Sequence, residues 1–167
     1  MIDLAGLETR ILLWAAGAAV IVAVLGGYAT ETGVWYQALR KPSWQPPNWI
    51  FGPVWTTIFA LAVLAFALGW RDAPGPEART VLIAVFAVNA ALNIAWSFLF
   101  FTFRRPDWAL AELVLLWLSI LAMILVLWPL SRGAALLLVP YILWVTTAGF
   151  LNRAILLLNG PFGRSGP

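Results

Sequence analysis

The sequence predicts an all-α polytopic membrane protein, a bundle of five transmembrane helices, and three observations predict it. Of its 167 residues, 63% are hydrophobic and only 10% are charged, more apolar surface than one soluble core of this size can hide. The apolar residues fall into five runs, each near the roughly 20 residues that cross about 30 Å of hydrocarbon. Between the runs stand Pro, Gly and Arg clusters that turn the chain at the water boundary.

The first run, 11–30, carries no charge. Residues 1–10 hold Asp3 and Glu8 with one basic residue, an acidic flank unlike that of a secretory signal, and the run is too long for one. A retained first helix is expected. The second uncharged stretch reaches from Pro42 to Trp70, but its proline-rich front cannot wind into a helix, so the span is placed at about 49–69 and the first loop at 31–48. Arg71-Asp72-Ala73-Pro74-Gly75-Pro76-Glu77 is a turn by composition. The third span, about 80–103, stops at Arg104-Arg105-Pro106. Asp107 reads as the N-cap of the fourth, 108–130. Ser131-Arg132-Gly133 turns the chain into the fifth, 134–158, where Pro140 frees a carbonyl and bends the helix. The whole chain, 1–167, forms one transmembrane domain, and no repeat suggests an inverted-repeat transporter.

Charge places the chain in a membrane and sets its expected orientation. The ten basic and seven acidic residues cluster at the ends of apolar runs, where basic side chains anchor helices among headgroups. No basic stripe could track a phosphate backbone, so nucleic acid is excluded as a partner. Arg40, Lys41, Arg104, Arg105, Arg153 and Arg164 lie on one side, and Arg10, Arg71, Arg79 and Arg132 on the other. The excess predicts that the first loop and C-terminus face the cytoplasm. The expected home is a bacterial rather than an organellar membrane.

Several chemistries are excluded outright. The chain has neither cysteine nor histidine, which removes disulfides, thiolate chemistry and the commonest metal ligand, general base and haem ligand. No metal site is expected. Glu112 is the one carboxylate well inside an apolar run, and pairing with Arg104 or Arg105 is its expected role. Trp117 has no aligned polar neighbours and is expected to face lipid or a packing interface.

Three segments could bind a ligand. In the first loop, Trp35-Tyr36 is followed by Lys41-Pro42-Ser43-Trp44-Gln45-Pro46-Pro47, then Trp49 and Trp55. Rings alternating with prolines make a stiff surface, which is either an interfacial aromatic belt or a lid over a cavity. Asn89, Asn93 and Ser97 share one face of the third span. That face either glues helices together or presents polar atoms to a ligand. In the fifth span Tyr141, Trp144, Thr147, Ala148 and Asn152 fall on one side. An aromatic wall with a small residue suits a flat apolar ligand, and ordinary packing is the alternative.

These residues resemble the signature motifs of the TspO family, also known as tryptophan-rich sensory proteins, translocator proteins or peripheral-type benzodiazepine receptors. Trp35-Tyr36, Lys41 to Pro47 and Trp55 are similar to its first loop. Asn89, Asn93 and Trp96 are similar to its third helix, and Val139-Pro140-Tyr141, Trp144 and Asn152 to its fifth. The resemblance implies a five-helix bundle, commonly a homodimer, with a cavity under the first loop. It implies ligand binding by Tyr36, Trp55, Asn93, Trp144 and Ala148, with Trp44, Asn89, Ser97, Tyr141 and Thr147 as accessory residues. The implied ligand is protoporphyrin IX or a related tetrapyrrole, bound for transport or stress signalling with no required cofactor. Synthetic benzodiazepines and isoquinolines also bind members of the family. Such a ring, held by indole faces and amides, needs no axial ligand, and its propionates would meet Arg40 or Lys41. Some members degrade porphyrin in light, a role that would fall to Trp55 and Trp144 as the catalytic pair. A purely structural oligomeric module is a third reading. Cholesterol binding in the family is linked to a Leu/Val-Tyr-Lys/Arg pattern. Here Val145, Phe150 and Arg153 keep the spacing but replace Tyr by Phe, which argues against a sterol.

Overall fold

Prolines and short polar turns divide the chain where the sequence suggests. The computed structural model describes residues 7–162; Asp3 and Arg164, counted above, lie outside them. Helix α1 is Thr9–Ala29, α2 is the short Val34–Ala38, and α3 is Asn48–Asp72. Helix α4, Pro76–Ser97, runs into a π turn at Phe98–Thr102. Then follow α5 (Pro106–Leu130), α6 (Arg132–Leu137) and α7 (Val139–Asn159). Taking α4 with its π turn, and α6 with α7, five helical stretches are long and apolar enough to cross a membrane.

Boundaries move for local reasons. Helix α3 continues past Gly69 because Trp70 stacks on Phe66, with ring centroids 5.9 Å apart, and Arg71 Nε donates to Asp72 Oδ1 at 2.7 Å. Helix α4 starts at Pro76, whose missing N–H costs nothing in a first turn, with Glu77 suiting the positive end. Pro140 does more than bend the last span. The helix breaks at Leu138, and Pro140 becomes the second residue of α7. Helix α2 was not foreseen in the first loop.

The fourth span corrects two expectations, on Asp107 and Glu112, and places Trp117 in a packing interface, one of its two expected settings. Asp107 is not an N-cap but the second residue of α5, after Pro106. It accepts from Arg105 Nε at 2.8 Å. Asn152 of α7 docks on the same end of α5, its amide donating to the Pro106 carbonyl at 3.2 Å and accepting from the Leu110 N–H at 2.9 Å. Glu112 does not pair with Arg104 or Arg105; both of its carboxylate oxygens are buried without a hydrogen-bond partner. Trp117 is tied into the α5–α7 interface, its Nε1 donating to Thr146 Oγ1 at 2.9 Å.

The core has three layers along the bundle. Farthest from the first loop, Leu68, Leu82, Met123, Leu127 and Leu138 pack around Ala65, Ala134 and Ala135. Gly69 allows this closeness, since a Cβ there would collide with Leu127. The middle layer holds Ile58, Leu113, Leu116, Ile120, Tyr141 and Val145. At the loop end Tyr36, Leu39, Phe100, Phe101, Leu151 and Ile155 close the bundle. Helices α4, α5 and α7 pack side by side, while α1 leans on α3 and α4. Arginines lie over tryptophans at both ends, Arg105 over Trp108 (4.1 Å) and Arg79 over Trp70 (4.9 Å), as boundary anchors do.

Candidate functional site

Under the first loop lies a cavity of about 490 Å³ between α1, α3, α4 and α7. Its roof is the loop, and specific bonds hold the roof down. The side chain of Asn159, at the end of α7, accepts from the Arg40 N–H at 2.7 Å and donates to the Arg40 carbonyl at 2.8 Å. Lys41 Nζ donates to the Tyr36 carbonyl at 2.6 Å and lies 4.3 Å from the centre of the Tyr36 ring. Gln45 Nε2 reaches the Tyr36 hydroxyl at 3.5 Å. Burial pushes the Tyr36 phenol above its usual range, against the weaker opposite pull of Gln45. It stays a neutral hydroxyl.

The loop divides its aromatics between the two roles the sequence left open. Trp35 and Tyr36 turn inward onto Phe100 and Phe101, with centroids 6.1 and 5.6 Å apart. Trp44 and Trp49 point outward and are 51% and 73% exposed, as belt residues are. Inward-packed and outward-facing rings coexist in one segment.

The walls are rings and the floor is small. From α3 and α7, Phe51 meets Trp144 edge-on at 5.4 Å, and Trp55 meets Tyr141 edge-on at 5.9 Å while stacking on Phe59 at 5.5 Å. Tyr36, Trp96 and Phe101 line the same cavity. Helix α1 contributes Val22, Ala23, Gly26 and Gly27, and Ala148 leaves room one turn beyond Trp144. The result is a slot. Two aromatic sides with a small-residue floor fit a broad, flat molecule.

One hydrogen-bonded chain stitches three helices beside the slot. Asn93 Nδ2 donates to the Tyr141 hydroxyl at 2.9 Å, which donates to Asn89 Oδ1 at 3.1 Å. Asn89 Nδ2 donates to Ser119 Oγ at 2.9 Å, which donates to the Leu116 carbonyl at 2.7 Å. The polar face of α4 is therefore glue at Asn89 and both glue and cavity wall at Asn93.

The residues expected to bind separate clearly. Tyr36, Trp55, Asn93, Trp144 and Ala148 all line the slot, as does Ser97. Asn89 and Tyr141 sit below it, on a second cavity. Trp44 and Thr147 do not line either cavity: Trp44 is outside the roof, and Thr147 is exposed on α7, bonded to the Leu143 carbonyl at 3.0 Å. Sequence reasoning missed Phe51, Phe59, Phe101 and the α1 floor. It also missed Asn159, whose position at a helix end was the available signal.

Fold and site define a class, an integral membrane protein of five helices enclosing a roofed, aromatic cavity. Residues 15–158 match the profile of the TspO/MBR family. The chain is 39% identical over 133 residues to Protein CrtK of Rhodobacter capsulatus, covering 80% of this chain and 83% of that one. It is 41% identical over 129 residues to Tryptophan-rich protein TspO of Chlorobaculum tepidum (75% and 79% covered). Translocator protein of Homo sapiens is 36% identical over 122 residues, 72% of each chain. The chain belongs to the TspO/MBR family.

Proposed function

We propose that this protein binds a tetrapyrrole of the protoporphyrin IX type in the slot beneath its first loop, and that occupancy serves sensing or transport. The observation that carries this reading is one cavity lined together by the rings of Tyr36, Phe51, Trp55, Trp96 and Trp144 and by small alanine and glycine residues. A macrocycle fills such a slot by stacking, without a metal ligand. A propionate of the ring would be met by a basic residue of the first loop, Arg40 or Lys41, of which Lys41 is already engaged with Tyr36. The relatives' names, "sensory" and "translocator", agree with a binding role. Titrating the protein in nanodiscs with protoporphyrin IX tests it. Saturable quenching of tryptophan fluorescence that Trp144→Ala weakens is the expected result, and non-saturable quenching overturns it.

A second reading rests on Trp55 and Trp144 lining the same slot. On this reading the protein catalyses light-dependent porphyrin breakdown. A photoexcited porphyrin takes one electron from either indole, leaving a porphyrin radical anion and an indole radical cation. Dissolved dioxygen is the oxidant that then consumes the ring, and an electron returned to the indole restores it for the next cycle. Irradiating the complex decides between the two. Product that saturates with protein and disappears in Trp55→Phe favours catalysis.

A further inference from the structure

Behind one wall of the slot lie two polar groups without partners. Trp96 lines the slot with its ring, but its Nε1 is buried and unbonded. Both carboxylate oxygens of Glu112 are in the same condition. All three atoms are closed off from the slot and from the bilayer alike. Leaving such a group unbonded in the interior costs free energy, and native proteins keep few of them.

The winding of α4 and α5 sets this donor and this acceptor opposite each other. The two helices run antiparallel across a short turn, and Asn89 Nδ2 bonds Ser119 Oγ between them at 2.9 Å. Seven residues on from Asn89 is Trp96, and seven back from Ser119 is Glu112. Seven residues make two turns, about 20° short of a full return, and advance about 10 Å. Trp96 and Glu112 therefore stand on the same facing sides, nearer the first loop. The winding is regular over both stretches, since the π turn begins only at Phe98. Trp96 also packs against the cluster holding Leu113 and Leu116, which are the next residue after Glu112 and the one a turn beyond it.

Other rings set the tilt of the indole while its N–H goes unbonded. It stacks on Phe100 at 5.2 Å and meets Phe101 edge-on at 6.0 Å. A flat ligand stacking on the slot side of Trp96 competes with that packing. It favours whichever tilt suits it best, because a ligand shifts an equilibrium by its differential affinity. We propose that Glu112 is a positioning residue for the slot, accepting the Trp96 N–H when a ring ligand is bound and so fixing that wall. A carboxyl group accepts this bond with or without its proton. The proposal rests on the ring-binding reading of the slot and adds to it a residue that touches no ligand.

The test uses protein with isotope-labelled tryptophan in nanodiscs, with protoporphyrin IX as the probe. The Trp96 N–H signal is identified by its loss in Trp96→Phe. That N–H is enclosed before any ligand arrives, so slower exchange with deuterium on saturation reads bonding rather than burial. Exchange should slow roughly tenfold in the parent and in Glu112→Gln, and stay unchanged in Glu112→Leu. Glu112→Leu should weaken porphyrin affinity about fivefold, the worth of one hydrogen bond, and Glu112→Gln should restore it. Added to Trp96→Phe, Glu112→Leu should change nothing further. Unchanged exchange in the parent, a measurement that needs no Glu112 variant, overturns the proposal. So does an equal loss of affinity from Glu112→Leu with and without Trp96, which would assign Glu112 to the fold. If protoporphyrin IX binds saturably and the exchange does not change, the role of Glu112 falls and the slot reading stands. If protoporphyrin IX does not bind, both fall.

Discussion

Asn159 and Arg40, 119 positions apart in sequence, form a closed pair in which one amide side chain holds both backbone groups of the other residue, at 2.7 and 2.8 Å. The last turn of the last span therefore latches the roof of the cavity. Each bond is worth about 1 kcal/mol. Replacing Asn159 by Ala should speed porphyrin release by roughly tenfold or more with little loss of bundle stability. Stopped-flow dissociation reads this directly, and an unchanged rate would show that the latch does not gate.

The prolines of the roof act before any ligand arrives. Ordering a flexible loop costs roughly 1 kcal/mol or more per residue fixed, and Pro42, Pro46 and Pro47 remove part of that cost by restricting the unliganded chain. The double change Pro46→Ala and Pro47→Ala should weaken porphyrin affinity several-fold while leaving the melting temperature close to that of the parent. Equal affinity would assign this stretch to the belt represented by Trp44.

Trp144 and Trp117 should fail in different assays. Trp144 lines the slot, so Trp144→Ala loses stacking and burial worth about 1–3 kcal/mol, roughly ten- to hundredfold in affinity. Trp117 bonds Thr146 across the α5–α7 interface, so Trp117→Ala should cost about 2 kcal/mol of stability and little affinity. Fluorescence titration beside thermal unfolding in detergent separates them.

Glu112 is the buried carboxylate with no partner for either oxygen. An unpaired acid in an apolar setting costs stability. Glu112→Gln should therefore raise stability by about 1 kcal/mol, seen as a higher unfolding temperature. A fall would reveal that the carboxylate holds a partner in the membrane.

Orientation follows from six basic residues against four. A single cysteine placed by Ser43→Cys, in the exposed part of the roof, should react with an impermeant maleimide only from the cytoplasmic face. Labelling from outside would invert the orientation and leave the helices unchanged.

Much of the fold was legible because lipid imposes simple lengths and because amides are tolerated in hydrocarbon only when they are paired. Asn89 and Asn93 announced an inward face for that reason, and their partner there is Tyr141 of the fifth span. The errors have equally plain causes. Thr147 lies six positions after Tyr141, which on a helix leaves it about 120° away from that side, and it faces outward. Trp44 shares a motif with inward residues, but a turning loop has no fixed period. The Asn159 latch joins residues 119 positions apart, so only the place of Asn159 at a helix end hinted at it. Asp107 has the chemistry of a cap but stands one residue inside α5, because Pro106 takes the first helical position.

The π turn at Phe98–Thr102 sets the phase of the whole third span. There the Phe103 N–H donates to the Phe98 carbonyl at 2.8 Å, five residues back. The backbone then leaves through Arg104 in a left-handed conformation, φ 54°, which costs a side-chain-bearing residue about 1–2 kcal/mol. Phe100 and Phe101 stand inside this wider turn and reach Trp35 and Tyr36, while Asn89 and Asn93, in the regular winding before it, bond Tyr141. The third span therefore carries its polar seam on a tightly wound rod and meets the roof through a looser end.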